Sequence, residues 1–143
     1  MSRIRAHTEN LRTYYLLPRG ITVKAVDGVS VRIPEKSFIG LVGESGSGKT
    51  TLAESLLYLF DPPMVKFGGK VFYKGMDLDR MDKNELQKLR GREMSYVPQY
   101  AMDALNPVMK IKDFIKDIAL AHGEAPEKLL SIAAERFKLL GLS

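Results

Sequence analysis

The sequence predicts an α/β fold with an antiparallel β portion in front, and three observations predict it. The first third alternates short β-like runs with turn residues. A continuous apolar run, Phe38-Ile39-Gly40-Leu41-Val42, then leads through a glycine-rich octapeptide into a stretch of good helix formers. Past Asn106-Pro107 the pattern turns helical. A boundary at Pro107 follows, with a core over residues 1–107 and the start of a helical subdomain over 108–143.

In order, the spacing predicts a strand over residues 4–13 with Tyr14 and Tyr15 at its end, then strands over 23–26 and 29–33. Turn signals at Pro18-Arg19-Gly20, Asp27-Gly28 and Pro34-Glu35 separate them, which reads as antiparallel pairing. The run 38–42 suits a strand buried on both faces, as in a parallel sheet covered by helices. Residues 49–60 read as a helix with Leu52, Leu56 and Leu59 on one face, ended by Asp61-Pro62-Pro63. A strand over 69–73 closes at Lys74-Gly75. Asp82 is the expected N-cap of a short helix over 82–90, with Glu85 three residues on, and 93–97 reads as a strand stopped by Pro98. Ile111, Phe114, Ile115, Ile118 and Ala119 make one helical stripe, and Leu129, Leu130, Ile132, Ala133, Phe137 and Leu140 another, joined around 123–126.

Composition narrows the function classes. With 143 residues, 45% hydrophobic and 27% charged, the chain is long enough for one sizeable core and has no disordered or fibrous signature. No apolar run approaches the roughly 18 residues of a membrane span, and no apolar segment follows the basic N-terminus as a secretory signal would require. The expected location is the cytosol. Cysteine is absent, so any metal is held by oxygen or histidine. The net charge of +5 is spread among acidic residues, as in Lys83-Asn84-Glu85-Leu86-Gln87-Lys88, and marks no dedicated nucleic-acid surface. His7 reads as preceding the fold and His122 as lying at a helix end, both facing solvent.

The chemistry resides in Gly43-Glu44-Ser45-Gly46-Ser47-Gly48-Lys49-Thr50, followed by Thr51. A strand, a glycine loop, and Lys and Thr opening a helix are what a phosphate chain needs. The glycines let the loop wrap with its N–H groups inward, and side chains there would obstruct the phosphates. Lys49 supplies a mobile positive charge for the β and γ phosphates, the helix adds the positive end of its dipole, and Thr50 offers a hydroxyl to Mg²⁺. ATP and Mg²⁺ are the expected cofactors, bound through residues 43–51.

With this loop in hand, the chain resembles the P-loop ATPases of ABC transporters. The stretch Lys24-Ala25-Val26-Asp27-Gly28-Val29-Ser30 and the phrases Lys88-Leu89-Arg90-Gly91, Val97-Pro98-Gln99 and Ala104-Leu105-Asn106-Pro107-Val108 are similar to the ATP-binding subunits of oligopeptide and dipeptide (peptide and nickel) importers. The likeness runs from about Leu11 to Leu142. It implies an ABC-type P-loop NTPase fold with an N-terminal antiparallel β subdomain and the start of a helical one, the core being incomplete. It implies that Gln99 is the Q-loop glutamine, reaching Mg²⁺ and the attacking water, and that Tyr15 stacks on adenine, with Tyr14 its adjacent rival. Transmembrane permease subunits and a second ATP-binding subunit are the implied partners, at the cytoplasmic face of the membrane. The family's Asp-Pro after the glutamine is replaced here by Tyr100-Ala101.

The sequence holds no Leu-Ser-Gly-Gly-Gln-like signature, no apolar strand ending in Asp-Glu and no switch histidine, and so reads as the front part of a longer protein. The leading expectation is an importer's energy-coupling subunit. The alternatives are a non-transport ABC protein acting on nucleic acid and a non-catalytic nucleotide-binding module. Hydrolysis needs the γ-phosphate charge neutralised and an in-line water deprotonated. Lys49, Thr50 and the loop amides address the first need, whereas Gln99, the one candidate for the second, can orient water but cannot accept its proton. The 143-residue chain is therefore expected to bind ATP without useful turnover. Steady-state phosphate release by the purified chain, abolished by Lys49→Ala, would contradict this.

Overall fold

In the computed structural model, which describes residues 3–99 and 105–142, the chain divides into two compact units, 1–96 and 97–143. The first is built on one long strand, β1 (Ile4–Leu16). Strands β2 (Thr22–Val29) and β3 (Arg32–Pro34) share one side of it, β4 (Met64–Tyr73) lies along the other, and β5 (Met76–Asp77) pairs with β4. Every ladder is antiparallel. The inward side chains Leu11, Val26, Val71, Tyr73, Leu78, Leu86 and Met94 form the core.

Helix α1 (Lys49–Leu56) follows the glycine loop, and α2 (Lys83–Leu89) follows the β4–β5 hairpin. The expected capping box at α2 is complete. Glu85 N–H donates to Asp82 Oδ1 at 2.8 Å, and Asp82 N–H donates to Glu85 Oε2 at 2.9 Å. Two of the four orphan donors of that helix start are thereby satisfied.

Several expectations from the sequence are corrected. Residues 38–42 form no strand: Phe38 and Val42 are fully exposed, at 104% and 95%, and Ile39 and Leu41 about half exposed. An apolar run becomes a buried parallel strand only when neighbours offer ladder partners on both sides, and among the described residues none does. Residues 93–97 likewise form no strand, only a single bridge from Met94 to Arg90. Asp27-Gly28 is not a turn but lies inside β2. There Gly28, with φ +74°, is the extra residue between the Leu11–Val29 and Arg12–Asp27 pairs, a β-bulge. His7 lies within β1, stacked on Phe72 with ring centroids 4.4 Å apart.

The helix over 49–60 is shorter than its leucines suggest. It ends at Leu56 because Tyr58 takes a left-handed conformation, φ +57°. Leu59 N–H then reaches Glu54 C=O and Tyr58 N–H reaches Ser55 C=O, a Schellman closure. The same closure ends the helices of the second unit at Gly123 and Gly141. Tyr58 bears the conformational cost that those glycines avoid, and its ring packs against the core while its hydroxyl donates to Asp79 at 2.7 Å.

The second unit pairs α3 (Ile111–Ala121) with α4 (Pro126–Leu139), as the two apolar stripes predict. Ala119 is its one fully buried residue among those described. Asn106 Oδ1 accepts from Val108 N–H at 3.1 Å, turning the chain into this pair. Tyr100 and Ala101, where the sequence departs from the family pattern, and Ala104 lie outside the described residues.

The capping box sets a measurable cost. Asp82→Ala is expected to lower stability by about 1 kcal/mol, read from urea unfolding, since the N3 amide then loses its acceptor.

Candidate functional site

The octapeptide follows the exposed 38–42 segment and runs into α1, whose first two residues are its Lys49 and Thr50. Gly48 occupies the N-cap of α1 with φ +87°, and no side chain caps the helix. Its position is dictated twice. The dihedral itself favours glycine, and a Cβ built there would lie 2.2 Å from the backbone oxygen of Ala25 in β2. The start of α1 is thus pressed against the sheet at a distance only a glycine permits. Leu52 N–H closes the first turn on Gly48 C=O at 2.8 Å. The uncapped amides ahead of it are left to the loop side, with the positive end of the helix dipole.

Inside the loop, Ser47 N–H donates to Glu44 C=O at 3.2 Å. The Lys49 ammonium folds back and donates to Gly43 C=O at 2.9 Å, Glu44 C=O at 2.5 Å and Ser47 Oγ at 3.3 Å. All three of its protons are spent on the loop's own oxygens. The only full positive charge of the octapeptide therefore lies within the loop, held by neutral acceptors that an anionic oxygen would outcompete. Gly43, Glu44, Ser45, Gly46 and Ser47 are exposed, and Thr50 is exposed at the helix start.

The two tyrosines part company. Tyr14 is 4% exposed, stacks on Phe67 and donates to Asp27 Oδ1 at 2.6 Å. That hydrogen bond to a carboxylate, with burial, raises its phenol pKa, so it stays neutral. Tyr15, half-buried, turns to the other face, where its hydroxyl meets Thr51 Oγ1 of α1 at 3.1 Å. Of the pair, Tyr15 shares the side of the sheet on which the helix after the loop lies, and Tyr14 is occupied elsewhere. Gln99 is exposed in a turn of the second unit.

Two residues of this region escaped the sequence reading. Thr13 and Ser55 are both fully buried and hydrogen-bond each other at 2.9 Å between β1 and α1. The leucines of α1 carried the periodic signal, whereas its most buried positions are Thr51 and Ser55. Their i, i+4 spacing was the available clue, masked because hydroxyl residues do not count as core in an apolar pattern.

The fold has a counterpart among solved structures. The solved ATP-binding cassette MJ0796, in a dimeric post-hydrolysis state bound to ADP and phosphate, superposes with a TM-score of 0.73 over 96% of this chain and 58% of its own, at 21% identity. The fold is therefore that of the ATP-binding cassette. The ABC transporter family profile matches residues 26–142, and the chain belongs to the ABC transporter family. It is 41% identical over 137 residues to the dipeptide transport ATP-binding protein DppD of Caldanaerobacter subterraneus subsp. tengcongensis, covering 94% of this chain and 42% of that relative. It is 31% identical over 125 residues to the oligopeptide transport ATP-binding protein OppD of Bacillus subtilis, covering 86% of this chain and 35% of that relative. The chain thus spans about two fifths of the length of these relatives.

The seat of α1 can be tested through its glycines. Gly46→Ala meets nothing within 4 Å and should carry only the left-handed cost of about 1 to 2 kcal/mol. Gly48→Ala adds the collision with Ala25 and should lower the urea midpoint clearly further; equal losses would show that the close approach is not rigid.

Proposed function

We propose that this chain is the ATP-binding part of an ABC importer's energy-coupling subunit, serving peptides or a similar solute. The observation that carries the reading is the glycine loop at the uncapped start of α1, with the Lys49 ammonium folded into it. Backbone amides, a helix dipole and one mobile cation converge there, which is what a polyphosphate needs as it leaves water. The peptide class is supported by the relatives, which are dipeptide and oligopeptide transport ATP-binding proteins. In this reading residues 1–107 form the ATP-binding core and 108–143 begin the helical subdomain. The partners are permease subunits and a second ATP-binding subunit, at the cytoplasmic face of the membrane. Among the described residues no helix is long and apolar enough to cross it.

Gly43, Glu44, Ser45, Gly46, Ser47 and Gly48 would wrap the phosphates through their backbone, Lys49 would neutralise the β and γ oxygens, and Thr51 would lie beside them at the helix start. Thr50 would hold Mg²⁺ through its hydroxyl, and the family likeness assigns Gln99 to the same cation. A single hydroxyl and an amide fit that cation, which takes few protein ligands and is bound largely through phosphate oxygens and water. When bound, Mg²⁺ supplies further neutralisation of the phosphate charge. Gln99 would orient the attacking water, and Tyr15 would stack on the purine.

Calorimetry tests the reading. Lys49→Ala should abolish binding of Mg-ATP, and equal affinity in parent and variant would end the claim. Tyr15→Ala should weaken binding by about 1 to 3 kcal/mol, as for base stacking on aromatic rings elsewhere, and Tyr14→Ala by less. A greater sensitivity at Tyr14 would move the purine contact by one residue.

A further inference from the structure

We infer that Thr13 and Ser55 are positioning residues for the nucleotide, a buried hydroxyl pair that fixes the purine-contacting end of β1 relative to the phosphate loop. The inference rests on the nucleotide reading above and adds to it a part of the protein that touches no ligand.

Two rungs join β1 to α1 on one face. Tyr15 Oη meets Thr51 Oγ1 at 3.1 Å, and Thr13 Oγ1 meets Ser55 Oγ at 2.9 Å. The rungs match in pitch. Two residues along a strand advance about 6.8 Å, and four residues along a helix advance about 6 Å, so both pairs form at once when the helix lies along the strand. Gly48 against Ala25 extends the same seam at the helix start. Shifting β1 by one residue would turn Thr13 and Tyr15 to the opposite face and break both rungs.

The direction of the inner rung is determined. Ser55 Oγ donates its single proton to Thr51 C=O at 2.6 Å. It can therefore only accept from Thr13, whose hydroxyl is the donor. Both side chains are fully buried, where a hydrogen bond is directional and its loss is not repaired by water. An apolar pair of the same size would fill the space but would tolerate sliding. Hydroxyls hold the two backbones at one offset.

That offset matters because the two ends of the site lie on different elements. The phosphate loop is continuous with α1, whereas Tyr15 belongs to β1. A nucleotide engages both only when the strand and helix are in register. Inorganic tripolyphosphate engages the loop alone, which separates positioning from general integrity.

The test measures Mg-ATP and Mg-tripolyphosphate affinities by calorimetry on the 143-residue chain, its Thr13→Val, Thr13→Ser and Ser55→Ala variants, and the Tyr15→Ala background. Thr13→Val keeps the shape and removes the donor. It is expected to weaken ATP about fivefold, the worth of one net hydrogen bond, while tripolyphosphate affinity stays as in the parent. Ser55→Ala should behave the same way, Thr13→Ser should restore ATP affinity, and Thr13→Val should add nothing once Tyr15 is Ala. Equal loss for both ligands, no loss for ATP, or failure of Thr13→Ser to restore it overturns the inference. A parent chain that binds tripolyphosphate but gains nothing from the purine also overturns it, leaving the phosphate loop intact. A parent that binds neither ligand overturns the nucleotide reading, and this inference with it.

Discussion

The constraint on which the first unit depends is the close seat of α1 against β1 and β2. Gly48 has no Cβ to keep the helix start away from the Ala25 carbonyl, and the helix then lies where its hydroxyl face meets β1. Everything the loop offers, its amides, its dipole and its lysine, is aimed by that contact. The energy of the seat is modest and its geometry is exacting. A loop of the same sequence on a helix free to tilt would present the same groups without a fixed direction.

Strand β1 serves two faces with different chemistry. Inward, Leu11 joins the apolar core and Thr13 and Tyr15 address α1 through hydroxyls. Outward, Tyr14 lies under Phe67 and bonds Asp27, which Arg12 and Lys24 also approach at 3.7 and 3.9 Å. Those ion pairs are exposed and contribute little to stability. They gather around the same carboxylate that accepts the Tyr14 hydroxyl. The separation of two adjacent aromatics follows from the two-residue period of a strand, made unequal by what each face supplies.

The apolar run 38–42 shows how far burial is a property of context. Its composition is that of an inner strand, and it lies exposed because among the described residues no strand runs beside it. The octapeptide is anchored instead from its far end, by α1. Tyr58 is a further case of context overriding preference: a left-handed residue with a large side chain is retained because its ring and hydroxyl both find partners.

The sequence by itself determined the local features whose causes are local. The capping box at Asp82 and Glu85, the turn at Lys74-Gly75, the helix pair 111–139 and the phosphate-type loop each rest on residues within a few positions of one another. The family likeness rested on contiguous phrases of the same kind. Tertiary structure decided what depends on neighbours distant in the chain. It decided that 38–42 has no ladder, that Gly28 is a bulge rather than a turn, and that His7 lies inside a strand. It also decided that Thr13 meets Ser55, 42 residues away, and that Tyr15 rather than Tyr14 turns toward α1. Such outcomes are invisible to periodicity because a hydroxyl or an aromatic ring acquires its role only from the group opposite it, and that group is chosen by how α1 and the sheet pack.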